Sequence, residues 1–166
     1  ISLFIKNIFN IIDEQGVFVI QTGYHPVQFS NMMFDYIYHE HYSYFSLSSL
    51  IKLLKKNNLK LIDASINNHK LGSLRAIFSP EKSKFNVNKE QIKKILLKEF
   101  NYNNHPKKSF KYLKYKLDTN RQKITNFFIK NYMKKFVGFG ASHSVTTFLF
   151  YHNIGNHLSC IVDDNI

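Results

Sequence analysis

The sequence predicts an α/β protein: an incomplete Rossmann-like domain over residues 1–80, then a helical linker and a partial second Rossmann-like domain within residues 81–166. Three observations predict this. A helical segment, a glycine turn and the apolar run Val17-Phe18-Val19-Ile20 follow one another near the start, the order of one α/β unit. Two further strand-like runs, Leu59 to Ile66 and Ser73 to Phe78, are joined by a short polar connection. Near the end, Phe136 to Gly140, a helical segment and Leu158 to Val162 give a strand, glycine turn, helix, strand order.

Each element has its own signal. Leu3, Phe4, Ile5, Ile8, Phe9, Ile11 and Ile12 fall on one broad helical face, and Asp13-Glu14-Gln15-Gly16 stops the run. Val17 to Ile20 is apolar without alternation, which predicts a strand buried on both faces. Thr22 to Pro26 follows at its carboxyl end, where open α/β sheets place ligand sites. Val27 to Ile37 predicts another helix. Ser46 suits the N-cap of a helix through Leu54, whose carboxyl end carries Lys55 and Lys56, cations that favour the negative pole of the helix dipole. The two late strands predict an antiparallel pair closing a mostly parallel sheet. Residues 80–88 are polar and linker-like, and Lys89 to Phe100 is amphipathic. Lys107 to Lys134 predicts one long helix, or two broken near Asp118-Thr119-Asn120.

Composition narrows the classes of function. With 44% hydrophobic residues in 166, the chain can bury a core, yet its longest apolar runs are far shorter than a membrane span, so no membrane partner is expected. A single cysteine, Cys160, excludes an internal disulfide and a multi-cysteine zinc site, and a reducing, cytoplasmic setting fits best. The formal charge is +12, but only Arg75 and Arg121 are arginine. Arginine is the usual reader of bases and clamp of phosphates, so the charge is read as a solvated lysine surface and no nucleic-acid partner is expected.

The chemistry concentrates in Tyr38-His39-Glu40-His41-Tyr42-Ser43-Tyr44, which sets two imidazoles, a carboxylate and three phenols within seven residues. Removal of a proton beside a carbonyl needs a base that titrates near the operating pH and a donor for the enolate oxygen. His41 supplies the type of base, Glu40 a carboxylate, and Tyr38 and Tyr42 phenol donors; some further group must orient His41. The same residues also read as structural histidines in an aromatic segment. In a strand His39 and His41 would share a face as metal ligands, but no third ligand stands at a fixed spacing, and no metal is expected. Arg75, in an apolar strand after Gly72-Ser73-Leu74, reads as a partly buried guanidinium seeking an anion. His25 lies in the loop after the first strand. Gly138-Phe139-Gly140-Ala141-Ser142-His143 is half of a dinucleotide fingerprint, with His143 where the third glycine belongs, and the helix start after Gly140 offers Ser142 and Ser144 to an anion. Asp163 and Asp164 end the last strand as turn formers or as partners for a ribose hydroxyl.

In order and spacing, Tyr38 to Leu47, Gly72-Ser73-Leu74-Arg75, Gly138 to Ser142 and Val162-Asp163-Asp164-Asn165 resemble the sugar C-methyltransferase family. The resemblance covers nearly the whole chain. Members resemble one another in three parts: a small zinc-binding domain, a central S-adenosylmethionine-binding α/β domain and a carboxyl-terminal Rossmann-like domain. The resemblance implies that residues 1–80 are the end of the central domain and residues 81–166 most of the third. It implies methylation at C3 of a 4-keto nucleotide-linked deoxysugar through an enolate, with His41 as base and with Tyr38 and Glu40 assisting and holding the sugar. Tyr42 and His25 become further substrate contacts. On charge alone, Arg75, Lys70 and the turn at Gly140 and Ser142 are candidates for the diphosphate. The implied partner is a small-molecule nucleotide sugar, and the implied cofactor is S-adenosylmethionine. The donor's glycine-rich loop and the zinc module have no counterpart here and are expected upstream of Ile1, which predicts an inactive fragment. Two further departures are Leu71 where a second glycine is usual, and Ser144 near the place of a common lysine. A methyltransferase of the same fold acting on another carbon acid, and a non-catalytic sugar-nucleotide-binding module, are the competing expectations.

Overall fold

A computed structural model describes the backbone of residues 1–103 and 106–164, and the side chains of these except 71, 101–103, 106 and 107. Asn165 of the terminal motif lies outside the described residues. Packing groups the chain into two compact units: Ile1–Asn31 with Ser43–Pro106, and Met32–Tyr42 with Lys107–Ile166.

The first unit contains α1 (Ser2–Ile11), β1 (Phe18–Gly23), α2 (His25–Ser30), α3 (Leu47–Lys55), β2 (Leu59–Asn67), β3 (Ser73–Pro80) and α4 (Lys89–Asn103). Its sheet runs β1-β3-β2, and β3 is antiparallel to both neighbours. The expected antiparallel pair is therefore β2 with β3. The expected mostly parallel sheet is not what these strands form: β1 and β2 share a direction, but β3 lies between them. Leu47, Leu50 and Leu54, three and four residues apart on α3, close over Leu59, Leu61, Ala64, Leu74, Ala76 and Phe78 of the sheet, joined by Ile5 and Ile95. Because one face of the sheet is open, β1 alternates: Phe18 and Ile20 pack against this core while Val19 is 49% exposed. The expectation of burial on both faces fails here, since a short β-branched run reads alike in either setting.

The chain enters β3 through Gly72, which has φ +138° and whose added Cβ would lie 2.6 Å from Val27 Cγ1. No other residue type fits that backbone conformation and that approach. The expected helix over 27–37 ends at Ser30, because the Asn31 amide closes on the Val27 carbonyl and Met32 takes a left-handed φ of 58°.

Ser46 is the N-cap of α3, its Oγ accepting from the Ser49 amide at 3.2 Å. The two amides before it, of Leu47 and Ser48, donate to the carboxylate of Glu99 from α4. Glu99 is 1% exposed and also accepts from the Tyr24 hydroxyl at 3.0 Å. Three donors thus surround one buried carboxylate at the positive end of a helix, the arrangement that makes such burial tolerable. Burial, and next the charge and hydrogen bond of Glu99, push the Tyr24 phenol far above its usual value of 10.0.

The second unit contains α5 (Pro106–Lys130), β4 (Phe136–Phe139), α6 (His143–His152) and β5 (Leu158–Val162). Strands β4 and β5 are parallel and joined through α6, as the strand, glycine turn, helix, strand order predicts. Helix α5 runs unbroken through Asp118-Thr119-Asn120. Asp118 pairs with Lys114 one turn earlier at 3.0 Å, and Thr119 Oγ1 donates to the Tyr115 carbonyl at 2.8 Å. Their polar groups are satisfied along the helix, so they do not break it. The whole is a partially formed Rossmann-like α/β architecture.

Glu99→Ala is expected to lower the unfolding free energy by about 2–3 kcal/mol, since it strands buried donors, and Tyr24→Phe by only about 1 kcal/mol. Urea titration checks both. The raised Tyr24 value means the unfolded phenol loses its proton near pH 10 while the folded one keeps it. Stability is therefore expected to fall as pH rises above 10, and Tyr24→Phe removes that component of the loss.

Candidate functional site

The segment 32–42 has no helix or strand of its own and is shaped by what it packs on. Phe34 sets its ring 4.6 Å from Tyr151, 5.7 Å from His152 and 6.4 Å from Phe148, centroid to centroid, along one flank of α6. Tyr36 is buried beyond it. The chain then turns: the His41 amide donates to the Tyr38 carbonyl at 3.0 Å. The motif is thus a turn, and the shared strand face that a His39–His41 metal site would need does not form. Among the described residues no three His, Cys, Asp or Glu side chains are grouped to hold a metal ion.

The turn stacks the ring of His41 on that of Tyr38 at 4.3 Å. His41 Nδ1 lies 2.8 Å from the Tyr36 carbonyl oxygen. A carbonyl only accepts, so Nδ1 carries the hydrogen, and a neutral ring then keeps its lone pair on Nε2. The orienting group that the sequence left open is therefore a main-chain oxygen five residues upstream.

Tyr38 also lies 6.2 Å from the ring of His143, the two planes within 13° of parallel, and His143 Nε2 is 3.8 Å from Glu40 Oε1. His143 is the first residue of α6. The tyrosine-histidine-glutamate-histidine turn and the glycine turn, about a hundred residues apart in sequence, meet at this helix start. Gly140 has φ +96° and donates to the Val162 carbonyl at 2.8 Å. The Ala141 amide donates to Asp163 Oδ2, and Ser142 Oγ is 3.1 Å from Ser144 Oγ. Asp163, read from sequence as a turn former or a ribose partner, thus clasps the glycine turn.

The other nominated residues are distributed between the units. Tyr42 ends the segment with its side chain 92% exposed. In the first unit, Arg75 points to the open face of the central strand, where Nε and Nη2 both donate to Gln21 Oε1 at 3.1 and 2.9 Å. It is exposed and bound to a neutral amide, so the expected burial is absent. Its neighbours across the sheet, Gln21 and Ser65, are polar, which is why the position is solvated. Lys70 is exposed, with φ 47°. His25 begins α2, its ring 5.7 Å from Phe29 and 5.9 Å from Tyr44, and burial lowers its pKa.

Two members of the site were missed in the sequence. His143 reads there only as a failure of the third glycine, although a ring at that position projects from the turn. Phe34 reads as one apolar residue of a helix that ends before reaching it. The aromatic box around it includes His152, 3% exposed and without a hydrogen-bond partner for Nδ1 among the described residues. Burial, and next the nearby Arg121, lower the His152 pKa. Tyr151 donates to Asp118 Oδ1 at 3.2 Å, which ties the box to α5. Burial, then that hydrogen bond, raise the Tyr151 pKa, while the Lys114 hydrogen bond leads in lowering that of Asp118.

The turn thus brings the His41 ring onto Tyr38 and sets Glu40 beside His143, at the start of the helix of a Rossmann-like strand-helix-strand unit. Residues 68–166 match the family described as the C-methyltransferase C-terminal domain, and the chain belongs to that family. C-methyltransferase NovU of Streptomyces niveus is 33% identical over 70 residues, which are 42% of this chain and 17% of that protein. The match thus spans well under two thirds of that relative's length.

His152 supplies a pH test of the box. Its lowered folded value means the unfolded ring takes up a proton as pH falls through about 6.5 while the buried ring resists it, so stability is lost on acidification. Protection factors of the α6 amides, with the intrinsic exchange rate at each pH divided out, are expected to fall between pH 7 and about 5.5, where an ordinary imidazole takes up its proton. His152→Phe is expected to blunt that fall; an unchanged pH profile in this variant rules out the box as its source.

Proposed function

We propose that this chain carries the proton-abstracting half of a C-methyltransferase acting on C3 of a 4-keto nucleotide-linked deoxysugar, with His41 as the base. The observation that carries the reading is the 2.8 Å contact of His41 Nδ1 with the Tyr36 carbonyl. It leaves the basic lone pair on Nε2 and stabilises the imidazolium once that nitrogen has taken the proton. The C3–H bond breaks, its electron pair moves into the C3–C4 bond, and the carbonyl oxygen gains negative charge. The Tyr38 phenol, whose ring lies 4.3 Å from that of His41, is the donor for that oxygen. Glu40 accepts from sugar hydroxyls, and Tyr42, at the exposed end of the turn, is a further contact.

S-adenosylmethionine supplies an electrophilic methyl group to such a carbanion. The described residues do not fit its binding: the Gly138-to-Ser142 turn is committed to the Val162 carbonyl and the Asp163 carboxylate. No step through the donor is assigned to this chain. Membership of the C-methyltransferase C-terminal domain family supports the reading, as does a relative whose own name is a C-methyltransferase.

The half-reaction is testable without the donor, as deuterium wash-in from solvent at C3 of a nucleoside-diphosphate 4-keto-6-deoxysugar. In the full-length protein His41→Ala is expected to lower wash-in and methyl transfer together, by about a hundredfold or more. Wash-in at the unmutated rate removes His41 as the base.

A further inference from the structure

We propose that His143 is a positioning residue of this site, one that holds Glu40 ready to receive the sugar; this rests on the reading of Glu40 as a sugar-binding carboxylate. His143 lies beside two of the side chains given roles above. Its Nε2 faces Glu40 Oε1 at 3.8 Å, and its ring lies nearly parallel to that of Tyr38. Its own place is fixed from both ends of α6. The glycine turn before it is clasped by β5 and Asp163, and the far end of the helix holds Phe34 of the same segment that carries Glu40.

The pair is open to a ligand, with 70% of the His143 side chain and 54% of the Glu40 side chain exposed. An ion pair so exposed adds little to fold stability. Its effect belongs to binding: an unrestrained glutamate on an exposed turn samples several rotamers, and fixing one of them on binding costs affinity. A carboxylate already biased toward one rotamer by an imidazole 3.8 Å away avoids part of that cost. His143 stands where a dinucleotide fingerprint has a glycine, so the residue that spoils the nucleotide turn provides this contact.

Steady-state kinetics of the full-length protein with a nucleoside-diphosphate 4-keto-6-deoxysugar test the proposal. His143→Ala is expected to raise the sugar KM about three- to tenfold, the cost of ordering a freed side chain, with kcat within about twofold. His143→Gln, whose amide N–H can reach the same carboxylate, is expected to restore KM. The proposal is overturned by a KM unchanged in His143→Ala, by a fall in kcat at constant KM, or by a glutamine variant no better than the alanine. Proton wash-in by His41→Ala, measured alongside, reports separately: normal wash-in there removes the assignment of the base, while the KM comparison still decides the role of His143.

Discussion

Phe34 is a single side chain, yet the geometry of the site follows from where it is seated. The segment around it makes no ladder hydrogen bonds, and each residue of such a turn costs about 1–2 kcal/mol of backbone entropy to order. Only tertiary anchors can offset that. Phe34 against Phe148, Tyr151 and His152, with Tyr36 buried behind it, provides them. Once Tyr36 is fixed, so is its carbonyl, and that oxygen orients His41. The ring of His41, the proposed base, is thus held by packing five and seven residues upstream.

Tyr151 carries this dependence a step further. Its ring is the nearest face to Phe34, while its hydroxyl donates to Asp118, which pairs in turn with Lys114. One side chain therefore couples the apolar seat of the segment to the polar surface of α5. His152 completes the seat at some cost. A buried imidazole nitrogen with no hydrogen-bond partner among the described residues is tolerated only while the ring is neutral, so the box that orders the segment is sensitive to acid.

Much of the fold was legible because local chemistry and tertiary demand agree there. Ser46 caps its helix, the Ser73 strand pairs antiparallel with its predecessor, and the Phe136 to Val162 unit closes as a parallel pair. Where they part company, the sequence misleads. Glu99 sits in a lysine-rich amphipathic stretch and reads as a solvated charge, yet it is the buried acceptor for α3 and Tyr24. Nothing local marks it, since its partners lie 51 to 75 residues away. Arg75 misleads in the opposite sense: its apolar neighbours in sequence point to the other face of the strand. In the site, the motif residues were legible as types, but their arrangement depends on a turn and on an aromatic seat that no spacing rule encodes.

The amino end of α6 explains why this glycine turn departs from a nucleotide-binding one. Helix starts attract anions through unpaired amides and the dipole, and here two protein carboxylates meet that demand. Asp163 takes the Ala141 amide, and Glu40 approaches through His143. A phosphate seated there would have to displace the first and sit beside the second, both of like charge. The start of α6 is thus met by Asp163 at the Ala141 amide, with Glu40 beside the side chain of its first residue.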